Sequence, residues 1–181
     1  RESLRRDFVW LMYQTKGVND EGIAPKARVF IAAAEACNCV NWGDVKSGSV
    51  LELSPAEIKA RITDKSRLRG VFTSRSDVVS FLRKIKAADL GISVVVTGLL
   101  DEVLSACSEA GLTPHTFNFS LGIWGKKSLL PPEDVLAVTT MCGHHMVSPR
   151  IVERMVEDII ESRVSCAEGG EMLGRLCPCG V

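Results

Sequence analysis

The run Gly91-Ile92-Ser93-Val94-Val95-Val96-Thr97-Gly98 decides how the chain is read. From Ile92 to Thr97 it is rich in β-branched residues, carries no charge and is bounded by glycine on both sides. Stiff, branched side chains pack well on a pleated surface, so the run predicts a strand. Its lack of alternation predicts burial on both faces. Upstream, Leu68–Thr73 reads as another strand, and Ser76–Ala88 as a helix with Val78, Val79, Leu82 and Ile85 turned inward. Downstream, Leu100, Val103, Leu104 and Cys107 form a helical stripe that stops at Gly111. His115–Ile123 then alternates Phe117, Phe119 and Leu121, as a third strand should. The β-α-β-α-β order predicts an α/β fold with a small, mostly parallel sheet joined by crossovers.

Both flanks of this core read as helical. Leu4, Phe8, Leu11 and Met12 recur at helical spacing until Gly17 and Asn19-Asp20 break the pattern. Pro25 opens a second helix on which Val29, Phe30, Ala33, Ala34 and Cys37 share a face. Ser54-Pro55-Ala56-Glu57 is a capping box with proline at the first helical position, predicting a short helix through Ile62. Beyond the core, Glu133–Met141 reads as a short helix. Ser148-Pro149 caps another, along which Ile151, Val152, Met155, Val156, Ile159 and Ile160 form an amphipathic stripe. Ser165-Cys166-Ala167-Glu168 is a second capping box, and Pro178 stops the helix that it opens. The expected organisation is a helical segment 1–47, an α/β core 48–130 and a helical, metal-binding region 131–181. All three could form one domain.

The 181 residues carry 22 basic and 22 acidic side chains, so no overall charge draws the chain to nucleic acid. Nine basic residues between Lys59 and Lys86 face only Asp64 and Asp77, but no aromatics are interleaved to stack bases. The longest apolar run, near Gly91–Leu100, is about half of what a membrane helix needs. No basic-then-apolar leader opens the sequence, so no membrane or secretory destination is expected. Seven cysteines stand against one tyrosine. The number is odd and two pairs are spaced C-x-C, a spacing that strains a disulfide. A reducing cytoplasm, with some thiolates kept for metal, is the expected setting.

Geometry then groups the cysteines. The last two helices are joined by a few residues and should pack antiparallel. At 1.5 Å per residue they span about 21 Å and about 16 Å, so the hairpin returns the chain near its start. Cys142, before the first helix, should therefore lie near Cys177 and Cys179, after the second, while Cys166 sits by the turn. Soft thiolates select zinc or iron–sulfur clusters. The fourth ligand is expected from Cys39, from Cys37, or from His144 or His145; an open iron position is a further option. Cys107 falls on a buried stripe and reads as core. Gly122–Ser128 resembles a phosphate loop but lacks its spacing.

The leading expectation is a [4Fe–4S] protein with Cys142, Cys177, Cys179 and Cys39 as ligands. It would pass electrons to a redox partner protein, or act on a small-molecule substrate with His144 or His145 as proton donor. One rival is a zinc-stabilised binding module whose basic segment meets an anionic partner. Another is an α/β ligand-binding enzyme with incidental cysteines and a pocket near Thr97-Gly98 and Gly122–Gly125. A cluster two residues from Val181 would need cover, from further chain or from another subunit in a homo- or hetero-oligomer.

Overall fold

Phe8, Trp10 and Met12 are each 1% exposed or less, and they alternate with half-buried Val9 and Leu11. That period of two makes Phe8–Tyr13 a strand, β1, and not the helix expected from Leu4, Phe8, Leu11 and Met12. The stretch is apolar throughout, so both periods fit its letters. Burial decides between them. The computed structural model describes residues 3–119, 121–141 and 144–177.

Around β1 lie α1 (Ile23–Glu35), β2 (Asn41–Asp44), β3 (Gly48–Ser49), α2 (Pro55–Ala60), β4 (Leu68–Phe72), α3 (Arg75–Ala88), β5 (Ser93–Thr97) and α4 (Leu100–Glu109). The five strands form one sheet in the order β3-β2-β4-β1-β5. Every neighbouring pair is antiparallel. The expectation of a mostly parallel sheet is therefore corrected. Its reason is specific. β4 and β5 do run the same way and are joined through α3, as a β-α-β unit requires, but β1 lies between them and opposes both. β1 and β2 are related in the same manner through α1, with β4 between them. Two such interleaved units make the double split β-α-β arrangement. The third strand expected over His115–Ile123 is not formed: its described residues, 115–119 and 121–123, belong to no strand of the sheet, and Gly122 turns the chain with a φ of 88°.

α1 and α3 cover one face of the sheet and α4 packs beside α3. The core between them is aromatic. Trp10 lies 5.0 Å from Phe81 and 6.1 Å from Phe30, and Phe72 lies 5.2 Å from Phe81, measured between ring centroids. Gly70 pairs with both Trp10 and Trp42 across β4. A Cβ on Gly70 would fall 2.5 Å from the Trp10 indole nitrogen and 2.7 Å from the Asn41 carbonyl. Only a glycine lets the indole lie across β4 here.

Three further α-helices follow this irregular segment: α5 (Glu133–Thr139), α6 (Pro149–Ile160) and α7 (Cys166–Arg175). Ser148 caps α6, and Ser165 with Glu168 forms the expected capping box on α7. α6 and α7 pack as a hairpin. Gly169 lies in this contact, since a Cβ there would meet Met155 Sδ and Ile159 Cδ1 at 3.0 Å. The glycine that weakens α7 as an isolated helix thus allows its docking.

Gly70→Ala should cost about 1–3 kcal/mol, because the added methyl displaces a rigid ring and a backbone carbonyl. Urea unfolding followed by tryptophan fluorescence measures it, and the native emission should shift as Trp10 moves. Unchanged stability and emission would show that the indole does not depend on this gap.

Candidate metal centre

Strand alternation divides the sheet into two faces. Phe8, Trp10, Met12, Leu68, Gly70 and Phe72 point to the helix-covered face. Val9, Leu11, Tyr13, Arg69, Val71 and Asn41 point to the other. On that second face Val71 and Asn41 are 5% and 4% exposed, whereas Tyr13 and Val95, nearer the β5 edge, are open. The cover is therefore limited to the β3-β2-β4 side. Two contacts show what reaches it. Arg69 Nη1 on β4 donates to His144 Nε2 at 3.1 Å. Near the end of α7, a Cβ on Gly174 would meet Leu51, just after β3, at 3.1 Å.

Ser49, Gly43 and Arg69 are aligned across β3, β2 and β4. Two strand spacings of about 4.8 Å make that row roughly 10 Å wide. The chain entering α6 and the chain leaving α7 thus arrive at one side of the sheet, as the hairpin geometry predicts. Cys177 follows here; it is buried, and its amide donates to the Gly174 carbonyl at 3.2 Å. His144 and His145 are exposed, and His145 turns the chain with a left-handed φ of 50°. A guanidinium can only donate, so His144 accepts at Nε2 and its ring proton sits on Nδ1. Cys142 and Cys179 lie outside the described residues; in sequence each is two residues from His144 or Cys177.

The remaining cysteines are placed elsewhere. Cys39 lies beside Trp10, on the helix-covered face, with the sheet between it and His144. Its sulfur accepts from the indole N–H at 3.3 Å and donates to carbonyls of Asn41 and Val71, at 3.1 and 3.3 Å. Burial dominates these bonds and pushes the thiol up to about 11, so it stays protonated. Sequence alone presented Cys39 as a helix-end ligand; its partner Trp10 is distant in the chain and lay in a segment read as helix. Cys37 and Cys107 are core, and burial raises both thiols. Cys166 is exposed at the far end of α7, about 15 Å of helix away from Cys177. Among the described residues no three histidine, cysteine or acidic side chains gather into a metal site.

The two rival sites gain little. Lys59 pairs with Glu35 at 2.7 Å, Arg75 and Arg83 reach Glu109, and Lys86 donates to the Gly111 carbonyl. These basic residues serve contacts between elements. A Cβ on exposed Gly98 would meet the Asp7 carbonyl, Val103 and Phe8 at 3.0–3.3 Å, while one on Gly122 or Gly125 would meet nothing within 4 Å, so no contact joins the two glycine stretches named for the strand-end pocket. A surface groove lies instead between Leu129–Pro132 and Ser148–Arg150. No helix among the described residues is long and apolar enough to cross a membrane. No family model matches the chain, and neither a curated protein nor a solved structure matches it.

Cys39 gives a pH signature. Its unfolded thiol ionises near 9.0 while the folded one waits until about 11. Above the first value protons leave the unfolded chain only, so stability is full below pH 9 and falls between pH 9 and 11. The fall should be smaller in Cys39→Ser, which keeps a hydrogen-bonding hydroxyl and cannot ionise. Urea midpoints at pH 8 and pH 10.5 compare the two, and identical falls would mean that Cys39 titrates alike in both states.

Proposed function

We propose that the chain holds a [4Fe–4S] cluster through Cys142, Cys177 and Cys179, and that the cluster acts on a small molecule at its fourth iron. The observation that carries this reading is the return of the α6–α7 hairpin. Cys177 and the segment bearing His144 arrive at the same side of the sheet, while Cys37, Cys39, Cys107 and Cys166 are placed elsewhere. Three thiolates are then left for the centre. A set completed by Cys39 would have to break the indole bond and bridge the sheet, which weakens the electron-transfer alternative. An iron without a cysteine is open to an imidazole, to solvent or to substrate, and there acts as a Lewis acid. His144 and His145 stand beside it as candidate proton donors, and Arg69 adds a fixed positive charge suited to an anionic substrate. A reducing compartment, the cytoplasm, suits such thiolates.

Three thiolates and an imidazole would also suit zinc. Spacing argues for the cluster. Proline biases the residue before it toward extended backbone, where alternate residues lie about 6–7 Å apart. Two thiolates on one tetrahedral ion, with bonds of about 2.3 Å, lie only about 3.8 Å apart. A C-P-C pair therefore suits separate irons better than one zinc.

The test is iron, zinc and acid-labile sulfide content after anaerobic purification. Equal iron and sulfide is expected, with most of both lost in Cys177→Ser and Cys179→Ser and retained in Cys39→Ser and Cys166→Ser. Stoichiometric zinc without sulfide would replace the cluster by a structural zinc site. Iron that survives both C-terminal substitutions would overturn the ligand set.

A further inference from the structure

β5 ends the sheet, and among the described residues its only partner strand is β1. One side of its backbone therefore carries hydrogen-bonding groups that no described strand takes up. The usual protections of such an edge are missing from Ser93-Val94-Val95-Val96-Thr97. It has no charge and no proline, and its ladder with β1 runs without a bulge.

The layers on either side of the edge are apolar too. On the helix-covered side α3 contacts both α1 and α4, and α4 contacts β5, so the helix layer ends where the sheet ends. Arg75 of α3 reaches Glu102, Ser105 and Glu109, which marks the flank of α4 that faces α3. At about 100° per residue, Leu100, Leu104 and Cys107 fall on the opposite flank and look out past β5. Leu100 is 42% exposed and Leu104 is half-buried. On the open face Val95 is also 42% exposed, beside half-buried Leu11.

We propose that β5 pairs antiparallel with β5 of a second copy, about a two-fold axis through Val95 and perpendicular to the sheet. The outer flanks of the two α4 helices pack together above this seam. The occupant is a second copy because the edge is self-complementary. Centred on Val95, the register sets Val95 against itself, Val94 against Val96 and Ser93 against Thr97 over the whole strand. An axis in this direction keeps both helix layers on one side, so α4 meets α4 and the open faces join. Residues near the axis meet their own copies, and a charge there would repel itself; the strand and that flank of α4 carry none. Five residues make a seam about 17 Å long, and with a helix layer about 10 Å above it the contact buries on the order of 1,000 Å². That is the lower end for specific interfaces, so a weak, concentration-dependent dimer is expected. The inference uses only β5 and α4 and does not rest on the metal centre.

Sedimentation equilibrium of the full chain, from micromolar to several hundred micromolar, tests it together with amide hydrogen exchange of residues 93–97 at both ends of that range. The mass should rise toward twice the 19.7 kDa of one chain, and exchange in β5 should slow as it does. Val95→Lys and, separately, Leu100→Glu should each weaken association at least tenfold while keeping the far-ultraviolet spectrum, since both side chains are exposed. Cys177→Ser should associate like the wild type. A wild type that stays monomeric throughout overturns the proposal. A dimer whose β5 exchange ignores concentration, that survives either substitution, or that is lost in Cys177→Ser places the interface elsewhere and equally overturns it.

Discussion

The structure depends on one strand being hidden in the middle of its sheet. β1 is hydrogen-bonded on both sides, to β4 and β5, and its Trp10 ring must find room above β4. The absence of a side chain at Gly70 supplies the room. The indole then meets Phe30 and Phe81 and donates a hydrogen bond from its N–H to the Cys39 sulfur. This contact joins three separate parts of the sequence and commits the helix-covered face to packing. Cys39 is drawn into that packing.

That division explains the candidate centre. The covered half of the second face is the one approached by both ends of the α6–α7 hairpin. Its supports are short-range: a serine cap on α6, a capping box on α7, and Gly169 letting the helices close to contact. A rigid hairpin fixes the distance between its two loop ends, and that fixity is what a multi-ligand metal site requires. The split β-α-β arrangement itself implies no activity, because unrelated functions occupy common folds.

What could be read from the sequence follows the range of the interactions. Both capping boxes, α3, α4 and the place of β5 were legible because their signals lie within a few residues, but the expected burial of β5 on both faces was not borne out: it is an edge strand with Val95 exposed. The return of the C-terminal hairpin was legible too, as helix length and loop length determine it. β1 was not, since Phe-Val-Trp-Leu-Met-Tyr satisfies both periods and only burial separates them. With β1 lost, the parallel relation of β4 and β5 looked like a parallel sheet. Cys39 was misplaced for the same reason, its partner being on β1. Alternation in Phe117, Phe119 and Leu121 misled, because a period of two is only a local signal and the described residues of 115–123 join no strand of the sheet.

The most direct test of the proposed metal centre is X-ray absorption fine structure at the metal edge of the anaerobically purified chain. Sulfur neighbours around iron, a short iron–iron scattering path and one lighter nitrogen or oxygen neighbour would match a cluster held by three thiolates. A lone zinc shell of sulfur and nitrogen at about 2.0–2.3 Å, with no metal–metal path, would contradict it.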